Sequence, residues 1–235
     1  MGIGAAIGGA LPLAVGVALS PIPIVAVVLM LTTRRARVNG PLFIAGWLAG
    51  LAIVGAIALS IADPADASSS GAPATWVSWL KVVIGAALLL VAPRQFYTRP
   101  RSGDRVELPK WIARVEEIKP LPAAGLGVVM GLNPKNLLLA VAAAAAIAQT
   151  GISGGEQAIA YAVFALIGTI GVGTPVVIYF AMGVRSEKLL ADLKDWMAQH
   201  NAVIMAVLCL LIGVKLIGDG ITGLTAGLLI RNVPR

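Results

Sequence analysis

Gly131-Leu132-Asn133-Pro134-Lys135-Asn136 sets a proline, two carboxamides and a cation in the middle of an apolar run from Leu121 to Gln149. Proline has no N–H and frees a carbonyl one turn earlier. In hydrocarbon, such backbone groups must be satisfied by other protein or by cavity water. A lysine at that depth costs at least ~2.5 kcal/mol on insertion scales. The stretch therefore offers helix-end carbonyls, helix-end N–H groups and one ammonium for binding substrate groups or ions. Leu19-Ser20-Pro21-Ile22-Pro23 interrupts the first apolar run in the same way. Ser20, Pro21, Pro23, Asn133, Pro134, Lys135 and Asn136 are the first candidate substrate-binding residues. For Lys135, snorkelling to the surface and capping of freed carbonyls stand beside a functional role. Asn133 and Asn136 can equally cap the two half-helices.

Lys215 and Asp219 complete the candidate set. They stand four residues apart on one helix face and can pair, which lowers the cost of both in a membrane. The readings are a satisfied pair or a snorkelling lysine, a gate, or a substrate contact. Lys81 lies near a membrane surface and is read as snorkelling. Cys209 is the single cysteine and His200 the single histidine. No disulfide, CxxC pair or metal cluster can be built on them, and no metal or other cofactor is expected. Cys209 reads as a small buried hydrophobe. Nucleophile–base constellations are absent, so an enzyme is not expected and no catalytic residue is named.

These residues must be positioned by membrane helices. The chain of 235 residues is 58% hydrophobic and 12% charged, against about 25% charged in soluble domains. Its mean hydropathy is +0.91. Hydropathy predicts six spans: Ile3–Leu31, Pro41–Ile61, Trp76–Val91, Leu121–Ala148, Ala158–Met182 and Ala202 to about Leu224. The first and fourth exceed the ~20 residues of a straight crossing. The N-terminal run has no basic leader and is too long for a signal peptide, so it is read as an uncleaved first span. Trp76 and Trp79 fit an outer aromatic belt.

Arg34, Arg35 and Arg37 follow the first span. Arg94, Arg99, Arg101, Arg105, Lys110, Arg114 and Lys119 lie between the third and fourth, and Arg185, Lys188 and Lys194 between the fifth and sixth. The other two connections hold no lysine or arginine. The positive-inside rule makes the loaded side cytoplasmic and both termini external, in a multi-pass plasma-membrane protein. The net charge of +7 follows this topology, so nucleic acid is not expected as a partner. Two cytoplasmic stretches are amphipathic: Trp111 to Ile118, and Leu189 to Met197 with Ser186 as N-cap. Both are expected in the inner membrane interface, unless they are only short ordered connectors.

The chain also repeats. Pro21 matches Pro134, Phe43 to Gly50 resembles Tyr161 to Gly168, and Ile84-Gly85 matches Ile212-Gly213. Three spans per half require the second half to be inverted. The charge pattern agrees, since the connection after the first span is basic and the one after the fourth is not. The expected fold is an all-α integral membrane protein: two inverted three-helix repeats, with helices 1 and 4 interrupted at proline. The divisions are 1–92 for the first repeat, 93–120 for the basic connection and 121–228 for the second repeat. Paired broken helices in inverted repeats point to a carrier site at the repeat interface. Gly46/Gly50 and Gly4/Gly8 form GxxxG pairs, read as close helix packing. Gly168, Gly171, Gly173 and Pro175 are read as a similarly tight fifth span.

Ala18-Leu19-Ser20-Pro21-Ile22-Pro23 and Gly131-Leu132-Asn133-Pro134-Lys135-Asn136-Leu137 resemble the paired motifs of the lysine-exporter superfamily. The whole chain more closely resembles its actinobacterial branch, the sulfolipid-addressing (Sap) or GAP family. Glu107-Leu108-Pro109-Lys110-Trp111, the run from Ala142 to Gln149, and Gly213 to Gly220 add to the match. The resemblance implies six spans in two inverted halves and a role in moving glycolipids or peptidoglycolipids of the cell envelope outward. The paired cysteines of thiol-electron-carrier relatives and the histidine-rich stretches of nickel and cobalt relatives are missing. That narrows the substrate to a lipid or an organic solute.

Three functions follow as expectations. The first is a lipid exporter or flippase, with Lys135 meeting an anionic headgroup at the Pro21/Pro134 crossing and the acyl chains left in the bilayer. The second is an exporter of a small organic solute, such as an amino acid, in an enclosed site. The third is a non-transporting scaffold for glycolipid assembly and export. Expected partners are membrane lipids, with an anionic or glycosylated lipid as substrate. A second copy of the chain and glycolipid-synthesis or export proteins remain open as further partners.

Overall fold

The computed structural model describes residues 2–61, 75–97, 115 and 118–231. Every regular element among them is helical. The first apolar run forms α1 (Ile3–Ala18) and α2 (Pro21–Leu31), bent by 54°. It is followed by α3 (Ala36–Ile61) and α4 (Thr75–Tyr97). The fourth run forms α5 (Pro120–Gly131) and α6 (Pro134–Ala148), bent by 64°. Next come α7 (Gly154–Met182), a 3-10 turn (Gly183–Arg185) and α8 (Ser186–Arg231). Four of these helices are long and apolar enough to cross a membrane, and six spans result if each bent pair is one.

Proline explains where the broken helices restart. Pro21 and Pro134 open α2 and α6, at the position where a missing N–H removes nothing the helix needs. Asn133 caps α6 by accepting from the Asn136 N–H at 3.0 Å. Ser153 and Glu156 form a capping box at the start of α7, which the sequence reading did not single out. Gly183 ends α7 with φ of 55°, a conformation glycine adopts without steric cost.

The most extensive interface joins α4 to α8, followed by α3 with α5 and α1 with α7. Glycines allow the closest approaches. A Cβ on Gly46 would overlap the Ala124 carbonyl, and one on Gly171 the Ala18 carbonyl. Gly85 and Gly213 face each other, each with the other's carbonyl less than 3 Å from its Cβ position. The expected packing role therefore holds for Gly46 and Gly171. It fails for Gly4 and Gly8, which have nothing within 4 Å.

Two further expectations change. Leu189 to Met197 is no separate interfacial element. It belongs to α8, an uninterrupted helix of 46 residues that runs on into the last span. Ser186 is not its N-cap; its hydroxyl donates back to the Gly183 carbonyl at 2.7 Å. Most of Trp111 to Ile118 lies outside the described residues. Of that segment, Val115 is buried and Ile118 packs against the core.

Candidate functional site

The two breaks meet. Ser20, between α1 and α2, and Asn136, in the first turn of α6, are 2% and 0% exposed, and Ser20 Oγ lies 3.1 Å from Asn136 Oδ1. Lys135 crosses from α6 to the end of α1. Its ammonium donates to the Gly16 carbonyl at 2.7 Å, the Leu19 carbonyl at 3.3 Å and Ser20 Oγ at 2.8 Å. Ser20 accepts from Lys135, and its own proton serves either the Val17 carbonyl, at 2.7 Å, or Asn136. On the other break, the Met130 carbonyl accepts from Asn133 Nδ2 at 2.6 Å and Asn136 Nδ2 at 3.3 Å. The Gly16 carbonyl of α1 and the Met130 carbonyl of α5 are thus held by side chains at the start of α6 and its cap.

The electrostatics follow. A cation at a helix C-terminus is favoured by the helix dipole, and carbonyls compensate part of the Lys135 desolvation. No carboxylate among the described residues pairs with it; Asp195 and Asp219 pair with Lys194 and Lys215 instead. The site holds a net positive charge.

A cavity of about 470 Å³ lies beside this network. Ser20, Pro21, Pro23, Asn133, Pro134 and Lys135 line it together with Leu88, Val91 and Gln95 of α4 and Asn201, Met205 and Cys209 of α8. Asn136 holds Ser20 from behind. Its walls are mostly apolar, with polar groups at the crossing and at Gln95 and Asn201. Cys209 is 2% exposed, as expected of a small hydrophobe. Sequence reading missed Gln95 and Asn201, and their only signal was polarity just beyond the apolar runs.

The cavity extends toward the basic end of the bundle. Gly85 faces Gly213 and Gly220 faces Ser78, so α4 and α8 are antiparallel and Gln95 lies near Asn201. Asn39 Nδ2 donates to the Ile118 carbonyl at 2.9 Å. Arg37 and Glu187 line one cleft. The three basic connections therefore share one end.

Lys215 and Asp219 are not at the crossing. They pair at 2.5 Å and do not line the cavity. Cys209 does, and Lys215 lies six residues further on, about 9 Å along an α-helix. The candidate substrate-binding residues thus fall in two places, with Lys215 and Asp219 apart from the Lys135 crossing. Lys81 does not snorkel either. It is 7% exposed and donates to Gln149 Oε1 at the end of α6. Among the described residues no group of three His, Cys, Asp or Glu stands together.

An all-helical bundle of membrane-length apolar helices, with two broken pairs crossing in its interior, is a multi-pass membrane protein. A model of the Sap, sulfolipid-1-addressing protein, family matches residues 10–222, and the chain belongs to that family. No curated protein and no solved structure matches it.

Proposed function

We propose that the protein is a carrier that moves an envelope glycolipid or peptidoglycolipid outward across the plasma membrane. The observation that carries this is the Lys135 ammonium, which borders an apolar cavity and lacks a carboxylate partner among the described residues. A phosphate, sulfate or carboxylate on the headgroup supplies the missing countercharge. The 3.3 Å bond to Leu19 is the longest of the three and the first to be exchanged for it. Ile22 and Val91 both line the cavity and are 37% and 39% exposed. The rim thus reaches the hydrocarbon-facing surface, where acyl chains stay in the bilayer while the headgroup enters. The family's sulfolipid-1-addressing description supports a lipid as cargo.

Packing supports a carrier of two inverted halves. The contact of α3 with α5 has its counterpart in α7 with α1, and that of α3 with α6 in α7 with α2. Gly85 and Gly213, equivalent in the repeat, meet each other, as residues beside a two-fold axis do. Bends of 54° and 64° carry the chain onward rather than back, so each broken pair counts as one span and the total is six. The shared basic end is then cytoplasmic and both termini are external. The lysine-exporter superfamily is the wider group proposed on the paired proline motifs.

A small organic solute is the second reading, favoured by a volume within the range of small-ligand sites. Lipid analysis of the outer envelope tests the proposal, with the chain deleted, restored, or restored as Lys135→Ala. The expected result is loss of one envelope lipid from the surface on deletion and with Lys135→Ala at equal protein abundance. An unchanged lipid profile on deletion overturns it. Normal export by Lys135→Ala and Asn133→Ala, with loss on removing Leu189–Met197, makes the protein a scaffold.

A further inference from the structure

Resting on the carrier reading, the outward step needs a second place to hold the headgroup once Lys135 lets go. A polar cluster stands on the other side of the breaks, with Lys81 and Ser78 buried and Lys215 and Asp219 about one-third exposed. Among the described residues Lys81 on α4 is bonded to a neutral group, Gln149 Oε1. The antiparallel register that sets Gly85 against Gly213 and Ser78 against Gly220 puts Lys81 beside Lys215 and Asp219, and it interacts electrostatically with both. Ser78, one turn earlier on the same face, is 1% exposed, and its hydroxyl has no partner among the described residues. A packed interface rarely leaves such a group orphaned. Two ammoniums and one carboxylate give the cluster a net positive charge.

The repeat relates this cluster to the cavity. The offset that takes Gly85 to Gly213 takes Lys81 to Cys209, Ala87 to Lys215 and Val91 to Asp219. Cys209, Ala87 and Val91 line the cavity. The cluster therefore occupies, in the other half of the membrane, the positions that form the cavity wall in this half. We infer that Lys81 and Lys215 form a second oxyanion-binding station, closed here by the Lys81–Gln149 bond and the Lys215–Asp219 pair. It opens as the cavity closes, and the headgroup passes from Lys135 to this station.

The test uses the full chain in lipid nanodiscs, with Cys209→Ala and a reporter thiol at Ser78→Cys, labelled by a membrane-impermeant maleimide. The thiol reacts slowly while Gln149 is intact. Gln149→Leu speeds labelling at least roughly tenfold, the shift expected from losing one charged hydrogen bond. If Gln149→Leu aggregates, Gln149→Asn breaks the same bond with a shorter amide. In the opened variant, inorganic sulfate slows labelling in phosphatidylcholine discs, or phosphatidylglycerol in the disc slows it without added sulfate. The arm that responds distinguishes a free anion from a lipid headgroup, and Lys81→Met abolishes the response. No acceleration on breaking the bond, or acceleration without protection by either anion, overturns the station. Labelling is read without export, so this failure leaves Lys135-dependent export to be judged separately.

Discussion

The ammonium of Lys135 lies 2.7 Å from the carbonyl oxygen of Gly16, a residue 119 positions earlier in the chain. The start of α6 thereby closes the end of α1. The first break is not satisfied by its own half alone: the Gly16 and Leu19 carbonyls take a donor from α6, whereas the Met130 carbonyl of the second is held by Asn133 and Asn136 of its own half. The contact makes the crossing a structural joint as well as a charged site. The two roles predict different responses to substitution.

Lys135→Met keeps the stem of the side chain and removes the donors. The Gly16 and Leu19 carbonyls lose their cross-chain donor, and unfolding free energy falls by about 1–3 kcal/mol. Lys135→Arg returns part of that stability, because a guanidinium also donates to carbonyls. It does not return full export, because a planar fork does not reproduce a compact ammonium. Thermal unfolding in detergent reads the first effect, and envelope lipid analysis the second. Recovery of both by arginine would mean that charge alone matters there.

Ser20 and Asn136 touch across the crossing, so their substitutions should not add. Ser20→Ala alone costs about 1 kcal/mol, the ordinary value for a lost buried hydrogen bond. The double-mutant cycle with Asn136→Ala returns a coupling of at least about 0.5 kcal/mol. Independent effects would place the two side chains in separate networks.

Glycine substitutions separate helix packing from local propensity. Gly171→Ala drives a methyl into the Ala18 carbonyl, next to the first break. It should cost about 1–3 kcal/mol through overpacking and reduce export as well. Gly46→Ala meets the Ala124 carbonyl and should cost as much, further from the crossing. Gly4→Ala meets nothing and should leave thermal stability unchanged or slightly raised. Equal tolerance of Gly171→Ala and Gly4→Ala would refute the close approach of α1 and α7.

The breaks were legible because proline and polar residues inside long apolar runs have few causes. Pro21 and Pro134 open helices as expected, and Asn133 caps one. What Lys135 reaches was not legible, because its partners Gly16, Leu19 and Ser20 come from the other half of the chain. Lys215 and Asp219 joined the candidate set on charge and spacing alone, which carry no information on depth along α8. Lys81 misled for a related reason. A lysine near a span end usually snorkels, and only the packing of α4 against α8, beside the end of α6, buries it. Gly4 and Gly8 have the same spacing as Gly46 and Gly50, yet spacing cannot say whether a neighbour faces it.

The Lys215–Asp219 pair offers the last prediction. Both side chains are about one-third exposed in the isolated chain, at 31% and 39%, so a surface pair would be worth only ~0–1 kcal/mol. Its neighbour Lys81 changes the balance. Lys215→Met leaves Asp219 with Lys81 as a replacement partner and should be mild. Asp219→Asn leaves two ammoniums facing one another with no acid beside them among the described residues and should be the more destabilising single change, by about 1 kcal/mol or more. Adding Lys215→Met to Asp219→Asn should then recover stability, because it removes the repulsion. Thermal unfolding of the three variants checks the order. Equal effects of the two single substitutions would mean that Lys81 does not share the pair's field.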